Sequence, residues 1–322
     1  MRQRRGMALL AALWLVVAIA AVALQFSIEA HERRTIGILA SERGIQRAAA
    51  LGALAMLQAR LDQALRVAPS GNNPTINRLR ASDPWLDADS IYSGTVMVDS
   101  LPVRVEAHDL GEKLNINQLS EQELQTFFSF LLGDFPKSTQ LAQSIMDWRD
   151  PDSIPRPSGA ERDAYIKAEH LALPTNAPFL EIEDLKDVMY MTPEIYAKAS
   201  KYLTTKGFGV VNLNTAPVPV LRVLPGMTDA LINKILQMRS QGQRIASVGD
   251  VVAPTRNGQR PTPGQINTAQ AQQALSARAS VDTKIIELTI TARVGPQAPA
   301  TRLTAIMQKQ GTNGVHVMLK EW

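Results

Sequence analysis

The residues able to do chemistry are few, and their spacing excludes most of it. There are no cysteines, so disulfides, thiolate catalysis and cysteine-ligated zinc are ruled out. The four histidines, His31, His108, His170 and His316, stand far apart, and no pair has the i, i+4 spacing of a zinc-protease helix. No nucleophile elbow, phosphate-binding glycine loop or dinucleotide fingerprint occurs. The sequence therefore points away from an enzyme. One dense acidic group stands out: Asp147, Asp150, Asp152, Glu161 and Asp163, within DWRDPDSIPRPSGAERDAY. Hard carboxylate oxygens on a proline- and glycine-rich loop suit calcium, which accepts irregular sets of six to eight oxygens. The spacing is not that of an EF-hand. Arg149, Arg156 and Arg162 offer a second way to neutralise the acids, as a solvated ion network. Both readings stand on the residues alone.

The acidic loop must be positioned by helices. KLNINQLSEQELQTFFSFLL places Ser120 three residues before Glu123, a capping box that starts a helix. Further helical patterns cover 140–148, 160–168, 181–188, 193–202 and 217–224. Leu114-Asn-Ile-Asn117 is echoed by Val211-Asn-Leu-Asn214, each ahead of a helix, and asparagines there are expected to cap free first-turn amides. VNLNTAPVPVLRVLPGMTDALINKILQMR has the form of a helix-hairpin-helix with its turn at Leu224-Pro-Gly-Met227. Such turns grip phosphate when backbone amides at the next helix face it. Here Asp229 puts a negative charge in that position, so the hairpin is expected to be architectural.

Strand patterns lie on either side of this helical stretch. Ser93–Ser100 and Pro102–Asp109 alternate in character, as do Lys284–Val294, Thr301–Gln308 and Val315–Trp322. The economical architecture is α+β: a small antiparallel sheet interrupted by a large all-α insertion over 112–279.

From Met7 to Ile28 the chain runs MALLAALWLVVAIAAVALQFSI without a charge. Those residues would span roughly 33 Å as a helix, a bilayer core. Arg2, Arg4 and Arg5 precede it and should stay cytoplasmic, leaving the rest on the far side. The helix should continue through 29–68, where Leu54, Leu57, Leu61 and Leu65 fall on one face, and stop at Pro69-Ser-Gly-Asn-Asn-Pro74. A simple signal anchor accounts for the helix as well as a filament subunit does.

A basic leader ending at Gly6-Met7 before an apolar helix resembles the N-terminus of the pilin and type II secretion pseudopilin superfamily. That resemblance implies cleavage after Gly6, methylation of Met7 by a prepilin peptidase, and filament packing through Leu9, Leu10, Leu13 and Val17. Most members carry glutamate at the fifth mature position; here that position is Ala11. A buried carboxylate is costly in lipid unless paired, and its absence is the habit of one branch, the minor pseudopilin K (GspK) family. DWRDPDSIPRPSGAERDAY, LPTNAPFLEIEDLKDV and VNLNTAPVPVLRVLPG are similar to stretches of that family.

The resemblance implies a pilin-like fold with leader 1–6, transmembrane helix 7–28, periplasmic helix 29–68, sheet segments 69–111 and 280–322, and the insertion 112–279. It also implies a tip complex with minor pseudopilins I and J and contacts to H and the major pseudopilin G. Exported substrates or the outer-membrane secretin are further partners, and calcium in the helical region is implied too, for which the acidic loop itself offers Asp147, Asp150, Asp152 and Glu161. Three alternatives are a minor type IV pilin, a membrane-anchored nucleic-acid-binding hairpin protein and an anchored hydrolase. The composition weighs against nucleic acid: apart from the three leader arginines, 31 basic residues face 30 acidic ones.

Overall fold

The computed structural model describes residues 3–67, 93–252, 268–295, 298–309 and 315–322. The expected stop at 69–74 lies outside the described residues. Helix α1, Gln3–Val67, is continuous through the apolar stretch, and is long and apolar enough to cross a membrane. Its upper part turns Gln46, Ala49, Ala50, Ala53, Leu54, Leu57 and Leu61 inward at three- and four-residue spacing, all of them buried.

What they meet is one face of a five-stranded antiparallel sheet. Its strands are β1 Gly94–Val98, β2 Leu101–Asp109, β7 Ile285–Ala292, β8 Thr301–Lys309 and β9 Val315–Glu321, hydrogen-bonded in that order. Alternation sets the face: Val103, Val105 and Ala107 point in with Ile286, Leu288, Ile290, Ala292, Leu303, Ala305 and Met307. Each of the three fully buried leucines of α1 stabilises this packing by about 1.5–3 kcal/mol. The Thr301 hydroxyl donates to the buried Gln46 at 2.6 Å, and the Arg47 guanidinium lies 5.1 Å from the Trp322 ring centre. This is the α+β pilin-like arrangement read from the sequence.

Between β2 and β7 the chain makes its helical excursion. It comprises β3 Leu114–Asn115, α2 Glu121–Leu132, α3 Phe135–Arg149, α4 Arg162–Lys167, a 3-10 segment Ile182–Asp187, α5 Pro193–Ala199 and β4 Leu203–Thr204. Then follow β5 Val211–Asn212, α6 Val218–Leu221, α7 Asp229–Ser240, α8 Val248–Val252, α9 Thr268–Arg278 and β6 Ala279–Ser280. The capping box at Ser120 and Glu123 forms as the sequence predicts. Segment 181–188 tightens to 3-10 geometry, and helices α8 and α9 carry no signal used in the sequence reading.

The Asn-x-Asn echo proves to be more than a pair of caps. It opens two tandem copies of one unit. β3 pairs in parallel with β4, and β5 with β6, so each unit begins and ends on a two-residue ladder. In both copies the first asparagine accepts from the amide of the second, Asn115 from Asn117 and Asn212 from Asn214, each at 3.0 Å. The second asparagine then grips a distant backbone in both directions. Asn117 holds Phe179 at 2.9 Å through each pairing, and Asn214 holds Ile245 at 3.0 Å. The arginine closing the second helix repeats as well. Arg149 donates to the carbonyls of Ile116 and Leu119, and Arg239 to those of Leu213 and Ala216. The asparagine oxygens are spent on these turns, so the helix starts rely on Ser120 and on Pro217 instead.

One carboxylate joins the sheet to the second unit. Asp109 ends β2 and is buried. It accepts from the Gly111 amide at 2.8 Å, Asn212 Nδ2 at 2.7 Å, and the Thr215 and Thr283 hydroxyls at 3.0 Å each. Burial pushes its carboxyl above the ordinary 3.8, while these four donors pull it back. Replacing Asp109 with alanine removes the acceptor of four donors, two of which, on Asn212 and Thr283, are buried. We expect a loss of about 2–4 kcal/mol in denaturant unfolding of the detergent-solubilised chain, with faster hydrogen exchange at the β2–β7 junction. A change under about 0.5 kcal/mol would remove the junction role. Because the folded carboxyl binds its proton more tightly than the unfolded one, its contribution falls as pH rises from 3.8 through the raised folded value. Asp109→Asn should flatten that part of the stability–pH curve.

Candidate cation site

The acidic loop runs from the end of α3 to the start of α4. Several contacts fold it before any cation is considered. Gln143 on α3 accepts from the Ser158 amide at 2.6 Å and donates to Glu121 at 2.7 Å. Asn176 donates to the Asp152 carbonyl, tying in the following loop. Trp148 stacks on Phe179, ring centres 6.1 Å apart, and so roots the segment in the helical core. Gly159 lies directly over Asp147; a Cβ there would sit 2.0 Å from Asp147 Oδ2, so no other residue fits without displacing the carboxylate.

These contacts bring together three of the four expected ligands. Asp150, Asp152 and Glu161 each present a carboxylate oxygen, all within 4.8 Å of one another. Glu161 is 5% exposed, and neither of its oxygens has a hydrogen-bond partner; Asp150 Oδ1 is likewise buried and unpartnered. Burial pushes the Glu161 carboxyl up, and the negative charges of Asp147, Asp150 and Asp152 push it further. The Arg162 amide pulls weakly the other way without closing a well-formed hydrogen bond. Carboxylate oxygens left without donors are ligands of the type a hard divalent cation takes.

Asp147 has a different position. It is fully buried, and its carboxylate accepts from Arg156 Nη1 at 2.6 Å and from the Arg156 amide at 3.2 Å. Burial still pushes its carboxyl up against that pull. Arg156 also reaches Asp150 Oδ2 at 2.5 Å and Glu121 at 3.5 Å. Arg156 neutralises the Asp147 side of the loop, as the ion-network reading expects, and the Glu161 carboxylate has no hydrogen-bond partner. Arg149 is occupied with the carbonyls of its own unit, while Arg162 and Asp163 are exposed at the start of α4. The sequence reading missed Arg156 as the selective partner; its central position between Asp147 and Glu161 in the loop was the available signal.

The other sites named from the sequence lie on α1 and at the hairpin. Gly6, Met7, Leu9 and Leu10 fall within the helical backbone of α1, and their side chains lie outside the described residues. Leu13 and Val17 are 58% and 49% exposed among the described residues. At the hairpin, Thr228 caps α7, and Asp229 in its first turn pairs with Arg222 at 2.5 Å.

Comparison with known proteins agrees with this architecture. Residues 112–206, the first helical unit, match the family model for type II secretion system protein K. The type II secretion system protein K of Dickeya chrysanthemi is 28% identical over 123 residues, covering 35% of this chain and 34% of that protein. A vertebrate protein, the endonuclease/exonuclease/phosphatase family domain-containing protein 1 of Xenopus laevis, is also 28% identical, over 151 residues, 44% of this chain and 24% of that protein. The chain thus spans about a quarter to a third of the length of these curated relatives. In solved structures the same fold occurs in the GspK–GspI–GspJ complex of the enterotoxigenic Escherichia coli type 2 secretion system. One chain of it aligns with a TM-score of 0.65 at 17% identity, over 87% of this chain and 96% of that chain. The chain thus carries, over residues 112–206, a region similar to type II secretion system protein K, set into the fold of that solved chain behind one helix long and apolar enough to cross a membrane.

Proposed function

We propose that this chain is the minor pseudopilin at the tip of a type II secretion pseudopilus, helping to start its assembly and so to drive export across the outer membrane. The observation that carries the reading is the helical excursion between β2 and β7, whose first unit matches the protein K family. It adds two helical units to a sheet that packs on the upper half of α1. Pilin-like subunits stack through that helix, and a mass of this size beside it hinders another subunit from adding above. Ala11 fits the same position. A glutamate there is tolerable in the bilayer when a neighbour's N-terminal amine pairs with it, and a first subunit has no such neighbour above it.

In this reading Gly6-Met7 is the prepilin peptidase site, with the N-terminus cytoplasmic and the sheet and helical units periplasmic. Leu9, Leu10, Leu13 and Val17 pack against the apolar helices of neighbouring subunits. The partners are the minor pseudopilins I and J, with H and the major pseudopilin G below them and the secretin or exported proteins beyond. The work is mechanical, not catalytic. This reading gives nucleic acid no role, and the Arg222–Asp229 pair at the hairpin's first turn supports that. Co-expressed with I and J, the chain should leave detergent as a one-to-one-to-one complex in native mass spectrometry. Recovery of this chain alone, with I and J pairing without it, would contradict the tip assignment.

Calcium belongs to the same proposal. Asp150, Asp152 and Glu161 would hold it, and its charge would neutralise a loop that otherwise buries unpaired carboxylates. Calcium added to the EDTA-treated, detergent-solubilised chain should raise the unfolding midpoint by several degrees, about 2–4 °C per kcal/mol of binding stabilisation. Glu161→Gln should abolish that shift and leave the chain folded. A shift that survives Glu161→Gln would exclude this ligand set, and no shift in the native chain would exclude the cation.

A further inference from the structure

Arg156 is the one cation in contact with the loop's carboxylates among the described residues, and its placement is asymmetric. Its guanidinium takes Asp147 at 2.6 Å and the Oδ2 oxygen of Asp150 at 2.5 Å, and leaves Asp150 Oδ1 buried without a partner. Asp150 is therefore shared: one oxygen is committed to Arg156, and the residue also belongs to the triad with Asp152 and Glu161. Five acids, Glu121, Asp147, Asp150, Asp152 and Glu161, converge here against this single arginine, while Arg149 is turned toward the carbonyls of Ile116 and Leu119.

We infer that Arg156 is an internal counter-ion that folds the acidic loop in the absence of a divalent cation and holds down the affinity of the site for that cation. The inference rests on the calcium reading of the loop given above. Two features support it. The Arg156 side chain is a quarter exposed, so its charge is only partly screened where it meets the shared Asp150 carboxylate. The backbone of its own segment is also fastened independently, through the Arg156 amide to Asp147 and the Ser158 amide to Gln143. The loop can thus keep its path while the guanidinium and a bound cation act on the same carboxylate. A dication sharing Asp150 lies within one carboxylate's width of the guanidinium charge, and like charges at that distance repel strongly in a partly buried site. Loss of the arginine charge then does two things at once: it weakens the cation-free loop and strengthens cation binding.

The test compares the native chain with Arg156→Gln and Arg156→Lys, each full-length in detergent, by calcium titration calorimetry and by thermal unfolding in EDTA and in calcium. Arg156→Gln should unfold at lower temperature in EDTA, bind calcium about tenfold more tightly or better, and recover most of the lost midpoint when calcium is added. Arg156→Lys keeps the charge and should bind calcium within about threefold of the native chain. If Arg156→Gln lacks near-ultraviolet circular dichroism in EDTA, its return on calcium addition supports the inference, and its failure to return overturns it. Equal or weaker calcium binding by Arg156→Gln, with the native chain still binding, overturns the counter-ion role and leaves the calcium site intact. No binding by the native chain overturns both.

Discussion

The structure depends on pinning both ends of a long excursion into one step of a sheet. The chain leaves β2 at Asp109 and re-enters β7 at Ile285, and in the finished ladder Asp109 faces Ile286. Closing so long a loop is entropically unfavourable, although the cost grows slowly with length. The Asp109 carboxylate answers it by holding the departing strand, the second helical unit and the returning segment together through Asn212, Thr215 and Thr283. With it, and with the small apolar cluster of Leu110, Ile285 and Ile306, the helical core and the sheet core are joined at one junction.

The same economy repeats inside the excursion. Each unit is closed by a parallel two-residue ladder, an asparagine clamp on a distant loop, and an arginine that satisfies two carbonyls at the unit's start. Such polar closures add fixed register to units that share a large apolar core. In the first unit the loop between α3 and α4 departs from this pattern. Carboxylates are buried there with too few donors, the kind of local conflict that proteins keep at sites with a job to do.

Much of this was legible in the sequence because it rests on local pattern. The uncharged run from Met7 to Ile28, the leucine spacing at 54, 57 and 61, the alternation in five strands and the Ser120 capping box each act over a few residues, and each formed as read. Most of what escaped was set by contacts between residues 31 to 174 positions apart. Asp109 looked like the end of a strand; nothing near it in sequence announces Asn212 or Thr283. The asparagine echo was visible, but its clamps on Phe179 and Ile245 were not, so it read as capping. At the acidic loop the cluster itself was apparent. Which acids an arginine would take, and which would be left bare, followed only from the path that Gly159 and Gln143 impose on the chain.

The account stands on α1 being a filament helix and not a plain anchor, and its N-terminus decides between them. Intact and peptide mass spectrometry of the membrane-extracted chain, made with and without a prepilin peptidase, reads this directly. The account predicts peptidase-dependent loss of residues 1–6 and a methylated Met7. An N-terminus left uncut in the presence of the peptidase, or a cut beyond Ile28, would contradict it and leave an anchored or secreted domain outside any filament.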